Sequence, residues 1–394
     1  MKKTPISFED TQTAFVSKTN AGLNRAYWLF QILSINWLVQ ISPAVFKFAL
    51  WAHLPVKGII RATAFRHFCG GESIKDCQKT IESLAKFNIG TILDYSVEGK
   101  ESEVDFDRSL EQTLSTVLRA KGDPKIPFSV FKPSGFARIA LLEKKNSGKL
   151  LSIQEQEEYS RFYKRICTIC EAAYNNNVPI YIDAEESWIQ DVVDEIAAEM
   201  MMKFNQKKAI IYNTLQMYRH DRISFLKKSI EHARSNNYFL GVKIVRGAYM
   251  EKERERSKLL NYPSPIQANK ENTDKDYDDA LKIVFENLDV TYVCVGTHNE
   301  KSCLLVTRLM SELNLPNNHE HVWFSQLYGM SDHITFNLAK AQYNTTKYVP
   351  YGPITSVLPY LIRRAQENTS VKGQTGRELS LISSEKKRRK SIKK

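Results

Sequence analysis

The chain has 394 residues, 42% of them hydrophobic and 25% charged, with a net charge of +12. That balance allows a large core, excludes wholesale disorder, and suits one barrel with additions. Six scattered cysteines with no secretory leader in front of them exclude a disulfide scaffold and read as reduced thiols of an intracellular, cytoplasmic protein.

The opening MKKTPISFEDTQTAF carries Glu9 and Asp10 and lacks arginine, which argues against a mitochondrial transit peptide. Residues 1–85 read as helices alone. Tyr27 to Phe46 contains no charge, but Gln31, Ser34, Asn36, Gln40, Ser42 and Pro43 make it too polar and too broken for a membrane span. A helical pair docked on its own domain is the favoured reading. Peripheral membrane contact through Trp28, Trp37 and Trp51 is the other. The run GGESIKDCQKTIESLAKFN follows, with Ser73 as its expected cap.

After Gly90 the pattern changes. Short β-rich runs alternate with helical segments, the signature of a parallel sheet. Eight such runs occur: GTILDYS at 90–96, FSVFK at 128–132, PIYIDA at 179–184, AIIYNTLQ at 209–216, GVKIVRG at 241–247, TYVCVGTHN at 291–299, HVWFSQLYG at 321–329 and KYVPYG at 347–352. Helical segments such as SIQEQEEYSRFYKRICTICEAAYNN and SWIQDVVDEIAAEMMMKFNQ lie between them. Eight strand–helix units predict an α/β fold, a (β/α)8 TIM-like barrel with an all-helical region before it. A doubly wound open sheet is the alternative. The expected division is a helical region at 1–85, the barrel at 86–370 and a basic, disordered tail at 371–394. The last ten residues, EKKRRKSIKK, hold seven bases and one acid, half of the net charge. Such a run reads as a solvated end, with attraction to anionic lipid as the alternative. It has no aromatic residues on which nucleic-acid bases could stack.

The expected strands end on polar residues: Lys132, Asp183-Ala-Glu-Glu, Gln216, Arg246-Gly247-Ala248-Tyr249, Thr297-His298-Asn299, Gln326-Leu327-Tyr328-Gly329 and Tyr348 to Tyr351. Each alone would pass for a loop residue. Seven in register mark the C-terminal mouth of a barrel, whose bottom needs no such set. The fifth end puts a cation, bare backbone and an aromatic ring at one strand tip, where glycine lets a flat ligand or phosphate approach. An ordinary strand-to-helix turn is the competing reading. In the last helix, VLPYLIRRAQEN, Arg363 and Arg364 leave the axis about 100° apart. Glu367 is within reach of both. They form either an exposed salt-bridged face or a fork-shaped grip on a carboxylate or phosphate.

Cys167-Thr-Ile-Cys170 is a lone CxxC on a predicted helix and reads as buried or idle thiols. No Rossmann or P-loop glycine pattern, zinc-type HExxH or G-x-S-x-G elbow occurs. What remains is a cationic, polar, aromatic barrel mouth able to hold an organic cofactor and a small acid.

Between Phe68 and Asn368 the motifs LDYSVEG, FKPSG, YIDAEES, KIVRGAY, GTHN, QLYGMSD, KYVPYGP and YLIRRAQEN follow in order. In this series the chain resembles the proline dehydrogenases, flavin enzymes that oxidise L-proline to Δ1-pyrroline-5-carboxylate. The resemblance is to the monofunctional members, as no aldehyde dehydrogenase half follows. It implies a distorted (β/α)8 barrel, FAD as cofactor and no metal. It also implies hydride transfer from proline C5 to flavin N5, with electrons passed to a quinone-type acceptor.

Residue by residue, the resemblance implies that Asp183 and Lys243 are catalytic; Lys243 stands where many bacterial members carry arginine. Lys132, Arg363 and Arg364 would bind the proline carboxylate, and Glu367 would orient the arginines. Tyr249, Leu327 and Tyr348 would wall the ring. Ala184, Gln216, Arg246, Gly247, Ala248, Thr297, His298, Asn299 and Gln326 match flavin-contact positions. The hydroxyproline-oxidising branch carries a smaller residue at the position of Tyr348, so proline should be preferred here. The implied partners are L-proline, a quinone or other electron acceptor, a transiently contacted pyrroline-5-carboxylate dehydrogenase and the inner face of a membrane, with no nucleic acid. The alternative from another class is a catalytically inactive barrel acting as a membrane or nucleic-acid adaptor; retention of all three carboxylate cations argues against it.

Overall fold

The structure, a computed structural model, describes residues 6–35, 56–96, 101–370 and 374–392, with side chains throughout except at 56–57, 366–370 and 374–375. Eight parallel strands form a closed barrel in chain order. They are β1 (Ile89–Tyr95), β2 (Phe128–Phe131), β3 (Ile180–Ile182), β4 (Ile211–Gln216), β5 (Leu240–Val245), β6 (Thr291–Gly296), β7 (Val322–Leu327) and β8 (Thr345–Tyr351). Each falls within or beside one of the β-rich runs, so the barrel reading holds and the open sheet does not. Nearly every strand residue is buried, as in a sheet covered on both faces. Closure removes the edges that an open sheet would expose.

Several helices end through a shared device. Asn177, Asn237, Asn261, Asn314 and Gln342 take positive φ just past helix ends. The next amide then bonds the carbonyl five residues back, as in Val178 N to Ala173 O and Leu315 N to Met310 O, both at 2.9 Å. This is the Schellman turn, built mostly on asparagine, whose short polar side chain tolerates the left-handed region. At the helix N-termini, Ser102 and Ser152 accept from Asp105 N and Glu155 N, and Ser152 completes a capping box with Glu155. Ser73 accepts from Asp76 N at 3.2 Å and so caps a turn; the helix it was expected to cap begins later, at Gln78.

The chain packs as two compact units, Gly99–Ser325 and Met1–Glu98 with Gln326–Lys394. These do not follow the expected boundaries at 85 and 370. In the first, the rings of Phe128 and Tyr181 stack at 4.6 Å, and Tyr212 meets Tyr181 edge-on at 5.3 Å. In the second, Phe15, Phe30, Phe68, Val357, Leu381 and Ile382 share one apolar cluster. Helix Asn20–Leu33 buries Leu23, Ala26, Phe30 and Leu33 there; the rest of the stretch read as a docked helical pair, from residue 36 on, lies outside the described residues. Trp28 on that helix is 64% exposed, while Trp37 and Trp51 lie outside the described residues. Among the described residues no helix is long and apolar enough to cross a membrane. All six cysteines are free thiols.

The C-terminal segment corrects the expectation of a disordered tail. Gln374–Ser391 is a helix, and Glu378, Leu381, Ile382 and Glu385 are buried along one face of it. Their spacing is that of a core-facing helical stripe. Two of the four are glutamates, so the stripe has no hydropathy signal. Both carboxylates are satisfied. Glu378 accepts from Ser331 N at 2.6 Å. Glu385 accepts from Thr11 Oγ1 at 3.0 Å and pairs with Arg388 and Arg389, each at 2.7 Å. Arg389 also donates to the carbonyls of Phe15 and Lys18 at 2.9 and 2.8 Å. Two bases of the run read as solvated are therefore partners of a buried acid. Deleting Ser384–Lys394 removes this set. The deletion is expected to cost on the order of 2 kcal/mol or more, since hydrogen bonds to charged groups are lost and carbonyls are left without them. Thermal unfolding with and without the segment checks this, and an unchanged melting temperature would contradict it.

Candidate active site

Within Gly99–Ser325 the polar strand ends form a connected set. Lys243 lies in β5, in register between Thr214 of β4 and Cys294 of β6. A buried ammonium needs compensation. Its Nζ donates to Asp183 Oδ1, just beyond β3, and lies 5.1 Å from the centre of the Tyr181 ring. Lys132, just beyond β2, places Nζ 3.8 Å from Asp183 Oδ2. Asp183 thus lies between two lysines, and Lys132 keeps about a fifth of its side chain exposed.

Beside this cluster, Gln216 at the end of β4 ties neighbouring strand ends together. Its Nε2 donates to Glu185 O at 2.7 Å and its Oε1 accepts from Ala248 N at 3.2 Å. Gly247 has φ +137°, and a Cβ there would lie 2.6 Å from the ring carbons of Tyr218. Only glycine fits that turn. Arg246 is locked in place. It bonds Asp274 Oδ1 at 2.6 Å, Thr297 Oγ1 at 2.7 Å and Ser302 Oγ at 3.0 Å, over the ring of Tyr277 at 4.2 Å. Asn299 has its carboxamide oxygen engaged as the N-cap of helix Glu300–Glu312, accepting from Lys301 N and Ser302 N. Ala184 and His298 are half-buried, and Tyr249 is buried.

The remaining expected residues belong to the other unit. Gln326 is buried and accepts from Thr335 Oγ1 at 2.8 Å. Tyr328 N donates to Tyr348 O at 2.9 Å, joining the turn after β7 to β8. Tyr348 is buried and Leu327 half-buried. Arg364 is buried with its guanidinium 5.3 Å from the centre of the Tyr360 ring, and Arg363 is half-buried. The side chain of Glu367 lies outside the described residues. Lys347, next to Tyr348, is fully buried and pairs with Asp332 Oδ1 at 3.0 Å, whose other oxygen meets Lys18 Nζ at 2.9 Å.

Sequence reasoning missed Glu185, Asp274, Ser302 and the Asp332 cluster. The double glutamate after Asp183 was the only local sign of the first. Asp274 and Ser302 lie in helices that resemble any solvated segment. Among the described residues no cluster of His, Cys, Asp or Glu is arranged to hold a metal ion.

A closed parallel barrel whose strand ends carry two lysines on one aspartate, with amide, hydroxyl and guanidinium donors beside them, is built as barrel enzymes are. A family model described as proline dehydrogenase matches residues 77–377. The chain belongs to the proline dehydrogenase family, flavin-dependent enzymes that oxidise proline in the first step of its catabolism. It is 35% identical over 322 residues to the carbapenem antibiotics biosynthesis protein CarD of Pectobacterium carotovorum subsp. carotovorum, covering 82% of this chain and 83% of that one. Proline dehydrogenase 1, mitochondrial, of Dictyostelium discoideum is 32% identical over 96% of this chain and 74% of its own length. A hydroxyproline dehydrogenase of Xenopus laevis is 38% identical over 64% of this chain and 55% of its own. The structure of proline utilization A from Bdellovibrio bacteriovorus aligns with a TM-score of 0.74 at 20% identity, a likeness of fold. It covers 94% of this chain, which spans 40% of that longer one.

Proposed function

We propose that this chain oxidises L-proline to Δ1-pyrroline-5-carboxylate with FAD. The observation that carries the reading is the Lys132–Asp183–Lys243 cluster at the strand ends, in a chain of this family. The donor chemistry fits the cofactor. The Lys243 ammonium, Gln216 amide and Thr297 hydroxyl suit the acceptor atoms of a flavin ring, and Arg246 suits its pyrophosphate. Gly247 and Ala248 supply bare backbone beside them, with Ala184, His298, Asn299 and Gln326 as further contacts. FAD held by these residues would supply the hydride-accepting chemistry at its N5 for proline C5, with a quinone-type acceptor taking the electrons on.

The chain's own residues orient the substrate and control its charge. Lys132, Arg363 and Arg364 hold the carboxylate by charge-assisted bonds, with Glu367 steering the arginines. Tyr249, Leu327 and Tyr348 wall the ring. The amine must lose its proton before or during transfer, because an ammonium has no lone pair to form the C=N bond. Lys243 supplies a single ammonium donor where arginine would supply a fork, and Asp183 holds it in place. Delivery of electrons to a quinone takes the protein to the inner face of a membrane. The contact we assign is the exposed side of helix Asn20–Leu33, where Trp28 and Ile32 project and Lys386 lies 4.1 Å over the Tyr27 ring. The product would then pass to a pyrroline-5-carboxylate dehydrogenase through transient contact.

The purified protein should be yellow, absorbing near ~450 nm, and proline without oxygen should bleach it. A colourless protein that cannot be reconstituted with FAD would sink this reading.

Arg363→Met and Arg364→Met are each expected to raise KM for proline with flavin retained. Loss of one charge-assisted contact corresponds to about 1.5–3 kcal/mol, roughly ten- to a hundredfold. Steady-state kinetics with flavin content measured decides it; unchanged KM in both variants would return the pair to a structural role.

Tyr348 is expected to disfavour trans-4-hydroxy-L-proline by filling the space beside C4, by a factor no larger than about 10². Tyr348→Ser should lower kcat/KM for proline and narrow the gap between the two substrates. An unchanged ratio in the variant would remove Tyr348 from substrate selection.

A further inference from the structure

Glu185 follows Asp183 by two residues and is buried to 4% exposure. Its carboxylate faces the turn Pro133–Gly135, directly after Lys132. Ser134 N donates to Glu185 Oε1 at 2.7 Å, and Ser134 Oγ donates to Oε2. Both polar hydrogens of Ser134 are therefore held by one carboxylate, a two-point attachment for the turn. The backbone of Glu185 is held as well. Its N–H donates to Gln190 Oε1 at 2.8 Å, and its carbonyl accepts from Gln216 Nε2 at 2.7 Å. Lys132 is a long, flexible side chain whose reach depends on where its backbone starts. A carboxylate that fixes the backbone two residues on sets that starting point.

We infer that Glu185 is a positioning residue: by clamping Ser134 it holds Lys132 at the place where the substrate carboxylate binds. The inference rests on the reading of Lys132 given under the proposed function. The groups facing Glu185 are Lys132 and Ser134 after β2, the neighbouring Glu186, which is paired with Lys252 at 2.7 Å, and Gln190, which is bonded onward to Asp194. Burial, and then Glu186, raise the Glu185 carboxyl to about 7 against the opposing pull of Ser134 and Lys132. Above that pH the clamp is an anion and both Ser134 bonds are charge-assisted; below it the acid holds the turn more weakly. KM for proline should therefore fall as pH rises through this range, with the step lost in a glutamine variant.

The test uses the flavin-loaded protein with Glu185→Gln, Lys132→Met, the double variant and Ser134→Ala. Kinetics with proline are run from about pH 6 to about pH 9. Calorimetric binding of cyclopentanecarboxylate, which has the ring and carboxylate but no amine to oxidise, gives a readout independent of turnover. Glu185→Gln is expected to raise KM and the Kd for this acid about tenfold, with kcat within about twofold. It should add nothing further in the Lys132→Met background. If Lys132→Met leaves KM and Kd unchanged, the reading of Lys132 fails. If Lys132→Met raises them and Glu185→Gln does not, or the two effects multiply, the inference about Glu185 fails while that reading stands. Should Glu185→Gln lose flavin or fold poorly, Ser134→Ala decides: a severalfold rise in KM supports the clamp, and an unchanged KM overturns it.

Discussion

Buried lysine is the constraint around which this molecule is built. An ammonium removed from water must meet a carboxylate or lose its charge, and each compact unit answers with one aspartate between two lysines. In one unit Asp183 lies between Lys243 and Lys132. In the other Asp332 lies between Lys347 and Lys18. The two arrangements share chemistry and differ in access. Lys132 keeps about a fifth of its side chain exposed, so its charge can still meet a ligand. Lys347 keeps almost none, so its charge is spent on packing. Burial would raise the Asp332 carboxyl, but the two lysines outweigh burial and hold it well below the usual range. A carboxyl depressed in this way stabilises the fold above its ordinary pKa, and that contribution is lost on acidification.

The second cluster also shows why the chain's ends matter to its middle. Lys18 comes from the N-terminal region, Asp332 from the start of the helix that follows the turn after β7, and Lys347 from β8. Glu378 of the C-terminal helix reaches the same turn through Ser331 N, where Ser331 itself takes a left-handed conformation. His67 adds a bond to Gly329 O at 2.8 Å. A serine in the left-handed region is strained unless its surroundings fix it. Here N-terminal and C-terminal segments supply the fixing bonds, next to the strand ends that carry Leu327 and Tyr348.

In Gly99–Ser325 the polar strand ends are held by bonds within the protein. Gln216 spans Glu185 and Ala248, and Arg246 is held by three side chains and an aromatic face. Glu253, itself buried, satisfies both Ser187 N and Ser187 Oγ at the start of the helix after β3, at 2.6 and 2.7 Å. Donors held in this way need little reorganisation when charge develops near them.

The sequence by itself determined the eight strands, the helices between them and the polar character of the strand ends. Hydrophobic periodicity and turn residues are local properties, and a parallel barrel buries both faces of every strand, so its strands stand out as short apolar runs. The motif series likewise marked the family, because residues such as Arg246-Gly247-Ala248 must keep their spacing to share one strand tip. Tertiary structure alone decided which charges pair. Glu378 and Glu385 look like solvated acids in a basic tail, yet they line a buried face because Ser331, Thr11, Arg388 and Arg389 meet them. Arg246 finds Asp274 and Ser302, 28 and 56 residues away. Glu185 finds Ser134, 51 residues back. A charged side chain costs little in water and much in the interior unless it is partnered. Its partner is chosen by distance in space, which hydropathy along the chain does not record.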